Sequence, residues 1–349
     1  MAGGGTAGHV IPALAVAREL RARGHDVYFV GTHRGVENRL VPAENFALEY
    51  VDLGGLKNVS FATRLASLWG LVRSTWAQYG RFRSRRPDAV FSIGGYVAGP
   101  PVLAAVITGV PLVVMEPNAV PGFTNRHIAR WVRRALLSFE ETKRFFPAGR
   151  SEVTGRPVRE EFFSIAPKAV EATLTILITG GSQGSRTLNN AARQAWPMFR
   201  SAGLPVRMIH QTGALMYDEL KRDWDVAGIE GEMSAFIADM PAAFAAADLI
   251  ICRSGGTVSE IAAAGKASVM IPFPFAADQH QQKNAEAFAK AGAAMMYLDK
   301  EWTGDRMFQV VSELAADRTR LIRMGEAARK LARRGAAQRA AAVLEEVSR

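Results

Sequence analysis

The chain has 349 residues, more than a single hydrophobic core usually serves, so two domains are expected. Hydrophobic residues at 48% and charged residues at 22% exclude a disordered or fibrous chain. The single cysteine, Cys252, excludes an internal disulfide framework and a cysteine-rich metal site. The net charge of +10 asks for an anionic partner without choosing among nucleic acid, phosphorylated substrate and acidic lipid.

The opening residues, MAGGGTAGHV, have neither the basic start nor the apolar stretch of a secretory signal. No apolar run approaches the roughly 20 residues that cross a bilayer as a helix. In chain order, short apolar runs at 27–30, 89–93, 112–115 and 135–138 read as strands of a first half, and those at 174–179, 206–210, 249–252 and 268–271 as strands of a second. Amphipathic stretches at 12–23, 188–199, 258–264 and 281–291 supply helices between them. This alternation predicts an α/β architecture of parallel sheets covered on both faces. The pattern restarts near Leu174, after a polar, proline-containing stretch at 155–168, which puts the boundary near residues 155–160. Two such domains facing each other would leave a cleft at the C-terminal ends of their strands. Only Met1 and Ala2 precede the first glycine turn, where a buried strand belongs, and a start assigned too late is the preferred explanation.

Three glycine-rich turns stand at strand-to-helix junctions: residues 3–9 (GGGTAGH), 180–184 (GGSQG) and 253–260 (RSGGTVSE). Glycine permits close backbone approach, and the unpaired N–H groups of a helix start attract phosphate oxygens. Any one of the three serves equally well as a tight turn, whereas three at matching junctions favour a nucleotide-phosphate ligand. None is a Walker loop, because the GxxxxGK[ST] pattern is absent. A dinucleotide fingerprint fits poorly as well, since Asp26 comes before the second strand rather than at its end. His9 opens the first helix, where the dipole disfavours the imidazolium and leaves a base, although a histidine that merely packs in the turn fits the position too. Glu260 suits either a ribose diol or a helix start of its own. Asp223-Trp224-Asp225 is a literal DxD, but it lies in a charged stretch and reads as a surface loop or helix; no metal is expected. Residues 61–86 combine Leu65, Leu68, Trp69, Val72 and Trp76 at helical spacing with six arginines. Such a helix fits the surface of an anionic membrane, or a core face backed by solvated arginines.

Taken together, seven segments resemble the MurG family of UDP-N-acetylglucosamine:N-acetylmuramyl-(pentapeptide) pyrophosphoryl-undecaprenol N-acetylglucosamine transferases. They are residues 3–17, GGYVAGP (94–100), EPNAVPGFTNR (116–126), TGRPVR (154–159), GGSQGSRTLN (180–189), CRSGGTVSEIAAAGK (252–266) and DQHQQKNA (278–285), and they span nearly the whole chain. The resemblance implies a GT-B fold of two Rossmann-like domains. The first would comprise residues 1–156 with a return helix at 336–349, facing acceptor and membrane; the second, residues 157–335, would bind UDP-GlcNAc. It further implies an inverting transfer of GlcNAc to undecaprenyl-pyrophosphoryl-MurNAc-pentapeptide, the lipid I to lipid II step of peptidoglycan synthesis. It implies no cofactor, metal or nucleic acid, and peripheral work on the anionic cytoplasmic face of the inner membrane, with Leu65, Leu68, Trp69, Val72 and Trp76 as the expected docking stripe.

Residue by residue, the resemblance puts Thr6, Ala7 and Gly8 near the donor diphosphate and makes His9 the leading base, with Glu116 the other acid–base candidate. Asn118 and Gln281 match GlcNAc contacts, Glu260 the ribose ligand, and Ser182 with Gly256, Thr257, Val258 and Ser259 the diphosphate site. Ile237 matches a uracil contact through its backbone, Arg159 another nucleotide contact, and Tyr96 the acceptor side. Two departures stand out: Ala7 replaces a glycine of the usual first turn, and Met115 stands where many members carry histidine. The alternatives are a GT-B transferase for another lipid, a UDP-GlcNAc 2-epimerase on the same fold, and a non-catalytic membrane adaptor.

Overall fold

The computed structural model describes residues 1–51, 53 and 61–348, with residues 61–68 and 277 described by their backbone alone. They form two units, Met1–Pro157 with Arg333–Arg349, and Val158–Ala332.

The N-terminal unit runs β1 (Ala2–Gly3), α1 (Ala7–Ala22), β2 (Tyr28–Gly31), α2 (Glu37–Ala43), β3 (Ala47–Tyr50), α3 (Phe61–Arg85), β4 (Val90–Gly94), α4 (Gly99–Thr108), β5 (Leu112–Glu116), α5 (Phe123–Ile128), β6 (Arg134–Leu137) and β7 (Ser151–Val153). All its strands pair in parallel, in the order β3-β2-β1-β4-β5-β6-β7. β4 and β5 are buried at every residue, which is why they read as unbroken apolar runs. The strand order reverses between β1 and β4, and β1 itself is a two-residue stub in register with Val30 on one side and Ser92 on the other.

The second unit begins with the single turn α6 (Glu160–Phe163). It continues through β8 (Leu174–Thr179), α7 (Arg186–Ser201), β9 (Val206–Gln211), α8 (Tyr217–Ala227), β10 (Gly231–Ser234), α9 (Met240–Ala246), β11 (Leu249–Cys252), α10 (Thr257–Ala264), β12 (Ala267–Met270), α11 (His280–Lys290), β13 (Ala294–Met296), α12 (Gly304–Ala316) and α13 (Arg318–Leu331). Its parallel sheet has the order β10-β9-β8-β11-β12-β13, with the reversal between β8 and β11. The eight strands expected from sequence are all present, with ends displaced by no more than one residue. Four further strands, β3, β7, β10 and β13, are the two edges of each sheet.

The last helix, α14 (Ala336–Ser348), belongs to the N-terminal unit. Its Ala340, Ala341, Val343 and Leu344 join Val10, Leu14 and Ala17 of α1 over Phe29, Phe91 and Val113 of the sheet. A bidentate pair from Arg339 to Glu152, both contacts at 2.8 Å, and contacts from Arg23 and His25 to Glu345 fix it in place. On the opposite face, Phe82 of α3 packs with Ala98 and with Val102 and Ala105 of α4 against Val114 and Leu137. The outward side of α3 carries Trp69, Val72 and Trp76, exposed by 71%, 47% and 60%, at the i, i+3, i+7 positions of one helical face. The side chains of Leu65 and Leu68 lie outside the described residues. Among the described residues no helix is long and apolar enough to cross a membrane.

Candidate functional site

Each sheet places its glycine-rich turns at the reversal of strand order, the position where doubly wound sheets bind ligands. In the N-terminal unit these turns follow β1 and β4. Under the first lies Glu37, fully buried at the start of α2. Its Oε2 accepts the Gly5 N–H at 2.8 Å, and its Oε1 accepts the N–H and hydroxyl of Thr32, each at 2.9 Å. Gly4, Gly31 and Gly35 close around the Glu37 side chain so tightly that a Cβ on Gly4 or Gly35 would come within 2.7 Å of the carboxylate, and one on Gly31 would stand 2.6 Å from its Cγ.

Thr6 is the N-cap of α1, and its carbonyl accepts from the N–H groups of His9 and Val10. Its hydroxyl makes no capping bond; it lies 3.2 Å from His9 Nδ1 instead. The His9 ring lies over Gly95, where a Cβ would stand 3.3 Å from Nδ1 and 3.2 Å from the Gly4 carbonyl. Gly95 also has φ +83°, a conformation that L side chains rarely adopt. Tyr96, half exposed, lays its ring against Gly5. Ala7 begins the helix, and the Gly8 carbonyl accepts from Arg156 at 3.0 Å.

Glu116 ends β5 and is buried. Its Oε1 accepts the backbone and side-chain N–H groups of Asn118, at 3.0 and 2.9 Å. Its Oε2 accepts Gly122 N–H at 3.1 Å and Asn125 Nδ2 at 3.0 Å. Burial pushes its carboxyl up to about 7, against the pull of these four donors. Four donors occupy both oxygens, so the geometry is that of a strut holding the 116–125 segment. Met115 is wholly buried in the core.

In the second unit, Gly180–Gly184 link β8 to α7, whose N-cap Ser185 accepts from Leu188 N–H. Gly184 (φ +73°) passes so close to the next strand's loop that a Cβ would meet the Thr212 carbonyl at 1.9 Å. Gln211, the last residue of β9, is buried and ties three strand ends together. Its Nε2 donates to Thr179 Oγ1 (3.1 Å) and the Gly181 carbonyl (2.9 Å), while its Oε1 accepts Ile237 N–H at 2.8 Å. Beside it, burial pushes His210 down to about 3, so this ring is neutral and bonded to Asn189.

After β11, Arg253 spans the carbonyls of Ile271 and Pro272 and pairs with Asp299 at 2.6 Å. Ser254 donates to the Gln281 carbonyl (2.7 Å), Asn284 donates back to Ser254 (3.1 Å), and Gln281 Oε1 accepts Phe273 N–H (3.0 Å). These bonds hold α11 beside the start of α10, where Gly256 is the N-cap and Thr257, Val258, Ser259 and Glu260 form the first turn. Thus Ser182, Ile237, Gly256, Thr257, Val258, Ser259, Glu260 and Gln281 all stand on the C-terminal ends of neighbouring strands or on the helices that follow them. Arg159 is the N-cap of α6, with its guanidinium 5.2 Å from the Phe162 ring centre.

Asp223 and Asp225 lie inside α8, two residues apart and committed to Arg193 (3.1 Å) and Lys221 respectively. Among the described residues no group of three or more His, Cys, Asp or Glu side chains is arranged to hold a metal.

Two doubly wound parallel sheets in one chain, each with amide-bearing turns at its reversal, are the architecture of the GT-B class. The glycosyltransferase family 28 N-terminal domain matches residues 1–137 and the family's C-terminal domain matches residues 175–340. The UDP-N-acetylglucosamine–N-acetylmuramyl-(pentapeptide) pyrophosphoryl-undecaprenol N-acetylglucosamine transferase of Solibacter usitatus is 62% identical, covering 100% of this chain and 96% of the relative. The Halorhodospira halophila protein of the same name is 42% identical, with coverage of 100% and 98%. The crystal structure of Acinetobacter baumannii MurG superposes with a TM-score of 0.83 at 33% identity, covering 98% of this chain and 97% of that one. The chain belongs to glycosyltransferase family 28 and, within it, to the MurG transferases.

Two predictions follow from the buried carboxylates. Glu37→Gln sets an amide N–H₂ against a backbone N–H and is expected to destabilise the N-terminal unit by about 1–3 kcal/mol, read as a lowered urea midpoint in tryptophan fluorescence. An unchanged midpoint would show that the turn does not depend on the carboxylate. For Glu116, a folded value near 7 against 4.5 in the unfolded chain means that the native state holds the extra proton between those limits. Stability contributed at this site is therefore greatest below pH 4.5 and declines as pH rises to 7. Urea midpoints from pH 5 to 8 should show this slope in the wild type and its loss in Glu116→Gln; parallel profiles would refute it.

Proposed function

We propose that this protein transfers N-acetylglucosamine from UDP-N-acetylglucosamine to the 4-hydroxyl of N-acetylmuramyl-pentapeptide on a pyrophosphoryl-undecaprenol carrier, converting lipid I to lipid II. The observation that carries this reading is the 62% identity, along the whole chain, to a transferase bearing that name. The second unit takes the donor: the first turn of α10 and Ser182 meet the diphosphate, Glu260 the ribose, Gln281 the GlcNAc, and Ile237 and Arg159 the nucleoside side. Because the Ile237 N–H is already given to Gln211, its carbonyl is the backbone group assigned to uracil. The N-terminal unit takes the acceptor, with Tyr96 beside the turn of Thr6, Ala7 and Gly8.

The reaction is a single displacement. The acceptor oxygen bonds to the anomeric carbon as the bond from that carbon to the UDP oxygen breaks. The hydroxyl proton passes to His9, and backbone amides at α10 receive the charge growing on departing UDP. Thr6 fixes the tautomer in this scheme: with Nδ1–H donated to its hydroxyl, Nε2 is the basic nitrogen. Glu116 is assigned as a positioning residue, because each of its oxygens already accepts two donors of the 116–125 segment. Transfer of labelled GlcNAc to a lipid I analogue, with EDTA present, tests the whole scheme. His9→Ala should lower kcat by about 100-fold or more, in the range of a lost general base. Product formation at the wild-type rate removes His9 from the mechanism, and UDP-GlcNAc binding without product removes the acceptor.

The acceptor's lipid tail resides in a bilayer, so the protein works as a peripheral enzyme on the cytoplasmic face of the inner membrane. Trp69, Val72 and Trp76 are its apolar contact, and the arginines of α3 favour anionic headgroups. Sedimentation with anionic vesicles should fall about tenfold for the Trp69→Ser, Trp76→Ser double variant, as expected for two lost interfacial anchors. Unchanged sedimentation would rule this face out.

A further inference from the structure

The strongest unexplained constellation lies at the far end of the donor half-site, on α13. The guanidinium of Arg329 donates to four backbone carbonyls. Nη1 reaches Ala263 (2.6 Å) and Phe163 (3.2 Å), and Nη2 reaches Ile165 (2.9 Å) and Ala264 (3.0 Å).

Three of these carbonyls close the C-terminal ends of two short helices, Ala263 and Ala264 of α10 and Phe163 of α6, and Ile165 lies two residues beyond α6. For α10 the accounting is complete. A helix leaves its last four carbonyls without partners inside the helix. Here Ile261 accepts from Lys266 N–H and Ala262 from Gly265 N–H, while Ala263 and Ala264 are both satisfied by Arg329. Such close approach requires glycine twice. A Cβ on Gly265 (φ +59°) would stand 2.6 Å from Arg329 Nε, and one on Gly325 would stand 2.5 Å from the Gly265 carbonyl. A fixed, planar fork meets four acceptors in a way that a lysine ammonium cannot, and its charge sits at the negative end of the α10 dipole.

The opposite ends of the same two helices begin at Arg159 and Gly256, the nucleotide and diphosphate contacts of the proposed function, on which this inference rests. We infer that Arg329 is a positioning residue for the donor: one side chain sets the placement of α6 and α10 together, and so fixes the spacing between Arg159 and the amides that meet the diphosphate. It touches no substrate. Its effect is registry, and displacements of about 1 Å at a binding group are enough to cost an enzyme one to two orders of magnitude.

The test compares Arg329→Lys with Arg318→Lys in the full-length enzyme. Arg318 begins the same helix, donates to the Glu171 carbonyl and pairs with Asp248 at 3.6 Å, touching none of the α6 and α10 carbonyls that Arg329 holds, so it reports loss of structure alone. Arg329→Lys is expected to raise the KM for UDP-GlcNAc and the calorimetric Kd for UDP about tenfold, leaving the lipid-acceptor KM unchanged. Arg318→Lys should move neither constant. A cooperatively folded Arg329→Lys with wild-type donor constants overturns the inference, as does an equal rise in both substrate KM values. Should Arg329→Lys lack a cooperative melt, hydrogen exchange on the wild type decides. UDP should then protect the amides of residues 163–165 and 263–266 as well as the first turn of α10, and protection confined to that first turn overturns the inference. Failure of wild-type enzyme to bind UDP overturns the donor assignment itself, and is thereby distinguishable from failure of the Arg329 role.

Discussion

A turn that offers its backbone amides to a ligand cannot also use them to hold its own shape. Its geometry has to be imposed from outside, and in this protein a handful of buried polar side chains does so. Glu37 grips the first glycine turn through Gly5 and Thr32, and Glu116 holds the 116–125 segment through four donors. Gln211 joins the ends of β8, β9 and β10, and the Arg329 fork holds the tails of α6 and α10. Each makes three or four hydrogen bonds from a buried or largely buried position, where an unmade bond is costly and a made one is correspondingly directive. Apolar packing builds the two sheets, and these side chains fix the angstrom-scale geometry at their ends.

The central strands were legible because strands buried on both faces are written as apolar runs, as in Leu174–Thr179. The edge strands were not: ALEY, SEV and GEMS are short and mixed in polarity, since an edge has water on one side, and AMM is apolar but only three residues long. β1 was visible only as a gap, because two residues carry no periodicity. The glycine turns announced themselves through composition, and the reversals of strand order bring them to the ends of neighbouring strands.

The side chains that hold the turns were harder to find. Glu37 follows Thr-His-Arg-Gly-Val in a stretch that reads as polar surface, and nothing local says that three glycines will fold around its side chain. Gln211 left a fainter sign, a polar residue closing an apolar strand. Arg329 left none, because its partners are carbonyls 65 to 166 residues away. Conversely, the DxD at 223–225 was conspicuous in sequence and is occupied in ordinary helix ion pairing. Glu116 had signal from the family resemblance, which marks its position without saying whether it reacts or supports.

The discontinuity of the N-terminal unit bears on how the chain is made. Residues 158–332 are contiguous and leave the ribosome as a finished folding unit. The helix that covers Val10, Leu14 and Ala17 comes after all of them in the chain. At bacterial elongation rates of roughly 5–20 residues per second, the first unit therefore waits on the order of 10–35 seconds with that apolar face of α1 bare. Its final assembly therefore follows the synthesis of the whole second unit, and the order of segments in the chain sets when the core over α1 can close.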